Sequence, residues 1–210
     1  MSFVFKFTPE KTHVFIHIPK NGGTSLWKIL SEYNPHRDEK SRRPNKDFVG
    51  HLTYQETKVL FPADEELSFF CIVRNPWERM VSYYHYIKQV HPRKHGAKDL
   101  HENLKKGMPF DGFLEYVCQS NQTRYKPQLE YMIDTSHHLA VSDVLRLEYF
   151  QQDLNKFLAG LECNTNIDTQ KHNASNHAHY TDYYKSDRSV EVVKNYEQGV
   201  VDFYHYRFDE

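Results

Sequence analysis

The sequence predicts an α/β fold: a single domain, residues 1–210, whose central parallel sheet is flanked by helices and carries a P-loop-like phosphate-binding turn. Three observations lead there. Two short apolar runs, residues 13–18 and 69–73, each pass through a polar turn into a helical periodicity. The first of those turns contains two adjacent glycines, Gly22 and Gly23. The length, 210 residues, is that of one domain at a prior of about 150 residues each. Strand–turn–helix units in succession build a parallel sheet covered by helices, with the functional crevice beyond the carboxyl ends of the strands.

The elements follow in chain order. His13-Val14-Phe15-Ile16-His17-Ile18, bounded by Pro19 and the glycines, reads as a buried strand, with His17 a packed core histidine holding a polar partner. Leu26, Ile29, Leu30 and Tyr33 then fall at i, i+3, i+4 and i+7, one face of a helix that Thr24 or Ser25 is placed to cap. Residues 35–47 are polar and mixed in charge, a surface loop. The run Phe69-Phe70-Cys71-Ile72-Val73 is a second strand ending at Arg74-Asn75-Pro76. Pro76 suits a first helical turn, where its missing N–H would lack a partner anyway, and Trp77, Met80, Val81 and Tyr84 mark the buried face. Helices are expected over 110–118 and 127–133, a strand at 144–147 and a helix over 152–158. A polar, His-rich loop over 164–179 leads to a last helix over 189–204, with Val190, Val193, Tyr196, Val200 and Tyr204 as its stripe.

Composition narrows the function. Hydrophobic residues are 39% and charged residues 26%, enough apolar material for a core and an ordinary solvated surface. Lys plus Arg is 27 and Asp plus Glu 28, a net charge of −1, which argues against a dedicated non-specific nucleic-acid binder, since that task needs a basic excess. The three cysteines, Cys71, Cys118 and Cys163, are far apart and odd in number; they read as reduced thiols. No stretch approaches the ~18–20 apolar residues of a membrane span, and the first thirteen residues are too interrupted by charge for a secretory signal. The expectation is a cytoplasmic chain with no membrane span. Its oligomeric state is not legible.

The segment from His17 to Leu26, HIPKNGGTSL, is the most informative. Glycines let backbone N–H groups close around an anion, and a helix start supplies unbonded amides and the positive end of its dipole. Thr24 and Ser25 add hydroxyls and Lys20 a point charge. In a kinase P-loop the lysine follows the glycines as GK[ST]; here Lys20 precedes them, at the end of the strand. The second turn repeats the logic. Arg74 leaves the second strand, where a guanidinium can bind phosphate through two hydrogen bonds, and Ser82 lies eight residues on. An arginine in that position often does no more than pair with a carboxylate. Two anion sites on consecutive strand ends nevertheless fit one ligand with two separated phosphate-like groups.

HIPKNGGTSL resembles the 5′-phosphosulfate-binding motif of the sulfotransferases, and CIVRNPWERMVSYYHY is similar to their 3′-phosphate-binding motif. The resemblance is to the carbohydrate enzymes, including the heparan sulfate 2-O-sulfotransferase type. It continues through GHLTY, PQLEYMID, VLRLEYFQQDL and NASNHAHYTDYY, over roughly residues 12–206. It implies that Lys20, Asn21, Gly22, Gly23, Thr24 and Ser25 hold the 5′-phosphosulfate of 3′-phosphoadenosine 5′-phosphosulfate (PAPS), and that Arg74 and Ser82 hold its 3′-phosphate. Asn21 stands where many members have Thr or Ser, and its amide can still hydrogen-bond. Asn173, Ser175 and His177 fall in a loop that the resembling enzymes place near the 3′-phosphate.

Sulfuryl transfer resembles phosphoryl transfer, an in-line displacement helped mainly by positioning and charge stabilisation. Lys20 is placed to stabilise the oxygen that leaves with the nucleotide, and the chemistry requires no metal. The resembling enzymes carry a catalytic histidine between the two motifs, which points to His51 as general base, with Glu56 or Glu78 as fallback. The acceptor is expected to be a hydroxyl, on a carbohydrate by resemblance. The basic run Lys88, Arg93, Lys94, Lys98, Lys105 and Lys106 is either a solvated face or an attractor of anionic glycan. His172, His177 and His179 make an H-x4-H-x-H pattern, but no HExxH or cysteine partner supports a metal. Two other readings stay open. A nucleotide-dependent kinase with a divergent loop lacks GK[ST] and a magnesium carboxylate, and a non-catalytic binder of anionic glycans would not need both Lys20 and His51.

Overall fold

The structure is a computed structural model, and it describes residues 3–9, 11–34, 51–63, 65–89, 98–119, 125–163 and 178–209. Expectations for the 35–47 loop, Arg93, Lys94, His172, Asn173, Ser175 and His177 lie outside them. The chain forms two compact units, Met1–Val73 with Glu130–Asn173, and Arg74–Leu129 with Ala174–Glu210.

The first unit is built on a four-stranded sheet, in the order β1 (Phe3–Phe5), β2 (Thr12–Ile16), β3 (Leu67–Val73), β4 (Asp143–Arg146). β2, β3 and β4 are parallel, with Ile16 opposite Cys71 and Val73 opposite Arg146; β1 adds an antiparallel edge. β2 is buried at every position and β3 from Ser68 onward, the continuous pattern of strands in a parallel sheet. Phe5, Phe15, Phe70, Ile72 and Leu145 form a core with helix α1 (Gly23–Leu30), through Leu26 and Leu30, and helix α6 (Phe150–Gly160), through Leu154, Phe157 and Leu158. The central parallel sheet flanked by helices is therefore as expected. β1 and the five-residue helix α2 (Tyr54–Lys58) are additions. His13, fully interior and edge-on to Phe7 at 5.2 Å, is the core histidine of this sheet. Burial, and then the charge of Lys11, hold its pKa below the usual imidazole value.

The second unit is helical. Helix α3 (Pro76–Gln89) buries Trp77, Met80, Val81, Tyr83, Tyr84 and Ile87, and α4 (Lys98–Lys105), α5 (Phe110–Gln119), α7 (Asp187–Tyr196) and α8 (Gln198–Tyr204) contribute to the same core. Three sequence expectations are corrected. The helix expected over 127–133 is a short 3-10 turn, Gln128–Tyr131, followed by a bridge between Ile133 and Leu139. The strand at 144–147 ends at Arg146, and Leu147–Tyr149 turns as 3-10 helix. The last helix breaks at Glu197, whose buried carboxylate pairs with Arg79. Gly199 lies beside Leu129 so closely that a Cβ would sit 2.3 Å from its Cδ2, so a larger residue there would make the Leu129 side chain shift. All three cysteines are free thiols, and burial pushes those of Cys71 and Cys118 up. Among the described residues no helix is long and apolar enough to cross a membrane, and no His/Cys/Asp/Glu cluster could hold a metal.

Candidate active site

In the first unit the chain leaves β2 through His17, Ile18 and Pro19 and enters a turn in which Lys20 has φ 70 and Gly22 φ 77. The left-handed region suits Gly22 and costs Lys20 roughly 1–3 kcal/mol, strain of the kind that gathers at binding turns. Gly22 is the N-cap of α1, so Thr24 and Ser25 lie inside the first turn, and the expected hydroxyl cap is corrected. A glycine cap leaves no side chain competing for the helix amides. The first intrahelical bonds run from the Ser25 and Leu26 N–H groups to the Gly22 carbonyl, 2.9 and 3.1 Å. The N–H groups of Gly23 and Thr24 precede them, at the end of α1 where the dipole is positive and an anion is favoured.

Three contacts fix this turn. Asn21 is fully buried, and its Nδ2 donates to the Ile72 carbonyl at 2.7 Å, one residue past the last β2–β3 pair at Cys71. The side chain of Asn21 thus anchors the turn to β3. Leu147, just past β4, packs on Gly22: a Cβ there would lie 2.6 Å from its Cδ1. His17 packs on Gly23, where a Cβ would fall 2.3 Å from the ring's Cδ2 and Nε2. His17 is only half-buried, so its expected place in the core is corrected. The strand's last paired residue is Ile16, which leaves His17 at the turn.

His51 belongs to the same cluster. Its Nδ1 meets the His17 carbonyl at 3.0 Å, and the two rings stand edge to face with centroids 4.5 Å apart. A carbonyl only accepts, so the neutral ring carries its proton on Nδ1 and its lone pair on Nε2. His51 is exposed, and helix α2 begins just after it. Thr53 caps α2 by accepting from the Glu56 N–H at 3.2 Å, while the Glu56 carboxylate accepts from the Thr53 N–H at 2.8 Å and its hydroxyl at 3.0 Å. Glu56 is therefore occupied as a capping residue.

In the second unit Arg74 and Glu78 are paired, Nη2 to Oε1 at 2.9 Å and Nε to Oε2 at 3.3 Å. This is the carboxylate pairing the sequence left open, and it also occupies Glu78. A guanidinium has five N–H donors, more than one carboxylate can satisfy, the property that suits arginine to phosphate. Ser82 is buried on α3, two turns along. Arg74 is held by Gln128, which lies in the PQLEYMID segment but has no expected role there: the Gln128 Oε1 accepts from the Arg74 N–H and its Nε2 donates to the Arg74 carbonyl, both at 2.9 Å. Among the expected histidines, His179 rests on Tyr180 with centroids 4.6 Å apart. In the basic run, Lys98 pairs with Glu102 at 3.9 Å.

No curated protein matches the sequence. A mouse sulfotransferase, SULT7A1, solved in complex with PAP, aligns with 95% of this chain and 84% of its own at 16% identity and a TM-score of 0.41, too slight a likeness to inform the site. The sulfotransferase family profile matches residues 4–209, almost the whole length, and the chain belongs to that family.

Proposed function

We propose that this sulfotransferase takes its sulfuryl group from PAPS and transfers it to a hydroxyl, on a carbohydrate, with His51 as general base. The observation that carries the reading is the stack His51–His17–Gly23, which places a histidine with its lone pair on Nε2 one ring away from a glycine-capped helix start. The turn fits the donor's phosphosulfate. Lys20 brings a positive charge, the Gly23 and Thr24 N–H groups precede the first helical bond, and no side chain caps them. Asn21 contributes its anchoring bond to Ile72, and Ser25 a hydroxyl in the first turn. Arg74 and Ser82 would take the 3′-phosphate. The donor supplies an activated sulfur–oxygen bond whose leaving group is PAP.

The residues divide the work. The acceptor oxygen forms a bond to sulfur as the bond from sulfur to the 5′-phosphate oxygen breaks. His51 takes the acceptor's proton on Nε2, and its Nδ1–H, bonded to the His17 carbonyl, fixes the ring's tautomer and orientation. Lys20 and the helix start stabilise the charge that grows on the departing oxygen. The carbohydrate acceptor is supported by the order of the motifs, a histidine between the two phosphate segments.

Labelled sulfate donor and a panel of glycans test the reading. Transfer is expected, with turnover falling about 10²–10⁴-fold in His51→Ala while PAP still binds, and with Lys20→Ala also losing turnover. Arg74→Ala is expected mainly to weaken PAP. Absence of transfer together with absence of calorimetric PAP binding would reject it.

A further inference from the structure

The second unit holds a buried polar chain that ends on Arg74 and whose other members have no part in the proposed chemistry. Arg79, a large charged side chain with 0% exposure, pairs with the Glu197 carboxylate, which is also buried. Its Nη1 also donates to the Lys126 carbonyl at 3.1 Å, and its guanidinium lies over the Tyr125 ring, 4.0 Å from the centroid. The second oxygen of Glu197 accepts from the backbone N–H of Gln128 at 2.8 Å. Gln128, itself fully buried, then places both ends of its side-chain amide on the backbone of Arg74. The chain of contacts runs from Tyr125 through Arg79, Glu197 and Gln128 to Arg74.

A buried ion pair is weak evidence of stability, because desolvating two charges offsets most of their attraction. What this pair does carry is geometry. Arg79 and Glu197 grip the segment from Lys126 to Gln128 at two backbone atoms, so the Gln128 side chain starts from a fixed point. Its amide supplies the same two bonds that a neighbouring strand would give Arg74, one to the N–H and one to the carbonyl. Only one orientation of the amide satisfies both. Glu78 meanwhile holds the guanidinium. Arg74 is thus fixed at its backbone by one residue and at its tip by another.

We infer that Gln128 is a positioning residue for Arg74, anchored by the buried Arg79–Glu197 pair, and that it sets the discrimination between nucleotides with and without a 3′-phosphate. This rests on the reading of Arg74 as the 3′-phosphate ligand. Gln128 touches no ligand and acts only through the backbone it holds. A phosphate bound through a bidentate guanidinium tolerates little misplacement, so loosening Arg74 costs affinity for the 3′-phosphate and nothing else on the nucleotide.

The readout is the ratio of calorimetric affinities for PAP and for 5′-AMP, which lacks the 3′-phosphate. Gln128→Met keeps the volume and removes both bonds. It is expected to cut the ratio at least tenfold with 5′-AMP affinity within about twofold, and to add nothing to Arg74→Ala in the double variant. If Gln128→Met does not fold, Gln128→Asn, one methylene too short to reach both atoms, reads the same ratio. A ratio that collapses in Arg74→Ala and is untouched in the Gln128 variants overturns the positioning role and leaves the Arg74 reading standing. Equal losses for both nucleotides reduce Gln128 to a structural residue and overturn it as well. A ratio unchanged in Arg74→Ala overturns the Arg74 reading and this inference with it.

Discussion

Gly23→Ala is the sharpest probe of the site in the first unit. The added methyl would sit 2.3 Å from two atoms of the His17 ring, about 1.1 Å short of an ordinary 3.4 Å contact. Helix propensity by itself favours the change, since alanine is the better helix former by about 1 kcal/mol. The clash opposes it, and overpacking a closed site costs about 1–3 kcal/mol. The ring also has little room to retreat. It is stacked on Phe15 at 5.8 Å and meets His51 edge to face at 4.5 Å. Net of the helix gain, the variant should lose about 0–2 kcal/mol, a drop of up to roughly 8 °C in Tm. It should also lose about tenfold or more in PAP affinity as the helix start is pushed away, and turnover as His51 is displaced. The decisive measurement is a double-variant cycle with His17→Ala, read by urea unfolding and by PAP calorimetry. Removing the ring gives the new methyl room, so the two substitutions should couple by about 1–3 kcal/mol, with the double variant less impaired than their sum. Strict additivity would show that the His17 ring is not what makes Gly23 a glycine, and the stack that carries His51 to the turn would lose its basis.

Three further outcomes follow from contacts elsewhere. Asn21→Leu strips the Ile72 carbonyl of its buried donor and should lower unfolding free energy by about 1–3 kcal/mol in urea titration; a change under ~0.5 kcal/mol would mean that the bond does not anchor the turn. Glu197→Ala leaves the Arg79 guanidinium interior without its counter-ion and should cost about 3–5 kcal/mol, whereas loss of no more than a surface pair's ~1 kcal/mol would contradict that burial. His13 titrates lower in the folded chain than in the unfolded one, so folding is unpenalised above the unfolded value of 6.5 and loses stability as pH falls below it. His13→Phe, set between Phe7 and Phe157, should flatten that acid limb by at most the one-proton slope of about 1.4 kcal/mol per pH unit. An unchanged pH profile of Tm would refute it.

The legible part of this protein is local. The apolar runs at β2, β3 and β4 and the periodicities of α1, α3, α5 and α6 were visible because a strand or helix repeats its pattern within a few residues. β1 leaves no signal, because three residues carry no period. Helix α2 has only five residues, too few for a periodicity, and its one sequence mark is the capping-box spacing of Thr53 and Glu56. The glycine turn with its lysine and hydroxyls is legible, but its cap is not, because the left-handed Gly22 starts the helix two or three residues before the Thr24 or Ser25 hydroxyl would.

By itself the sequence determined that a strand passes through paired glycines into a helix, that a second strand delivers an arginine to another helix start, and that the motif order matches sulfotransferases. Tertiary structure alone decided what holds those pieces. Asn21 reaches Ile72 51 residues away, His51 reaches His17 across 34, Gln128 reaches Arg74 across 54, and Glu197 reaches Arg79 across 118. Separations of that size leave no periodicity, because the partners meet only after the chain between them has folded. A buried polar group must then find its hydrogen bond wherever the packing brings a complement.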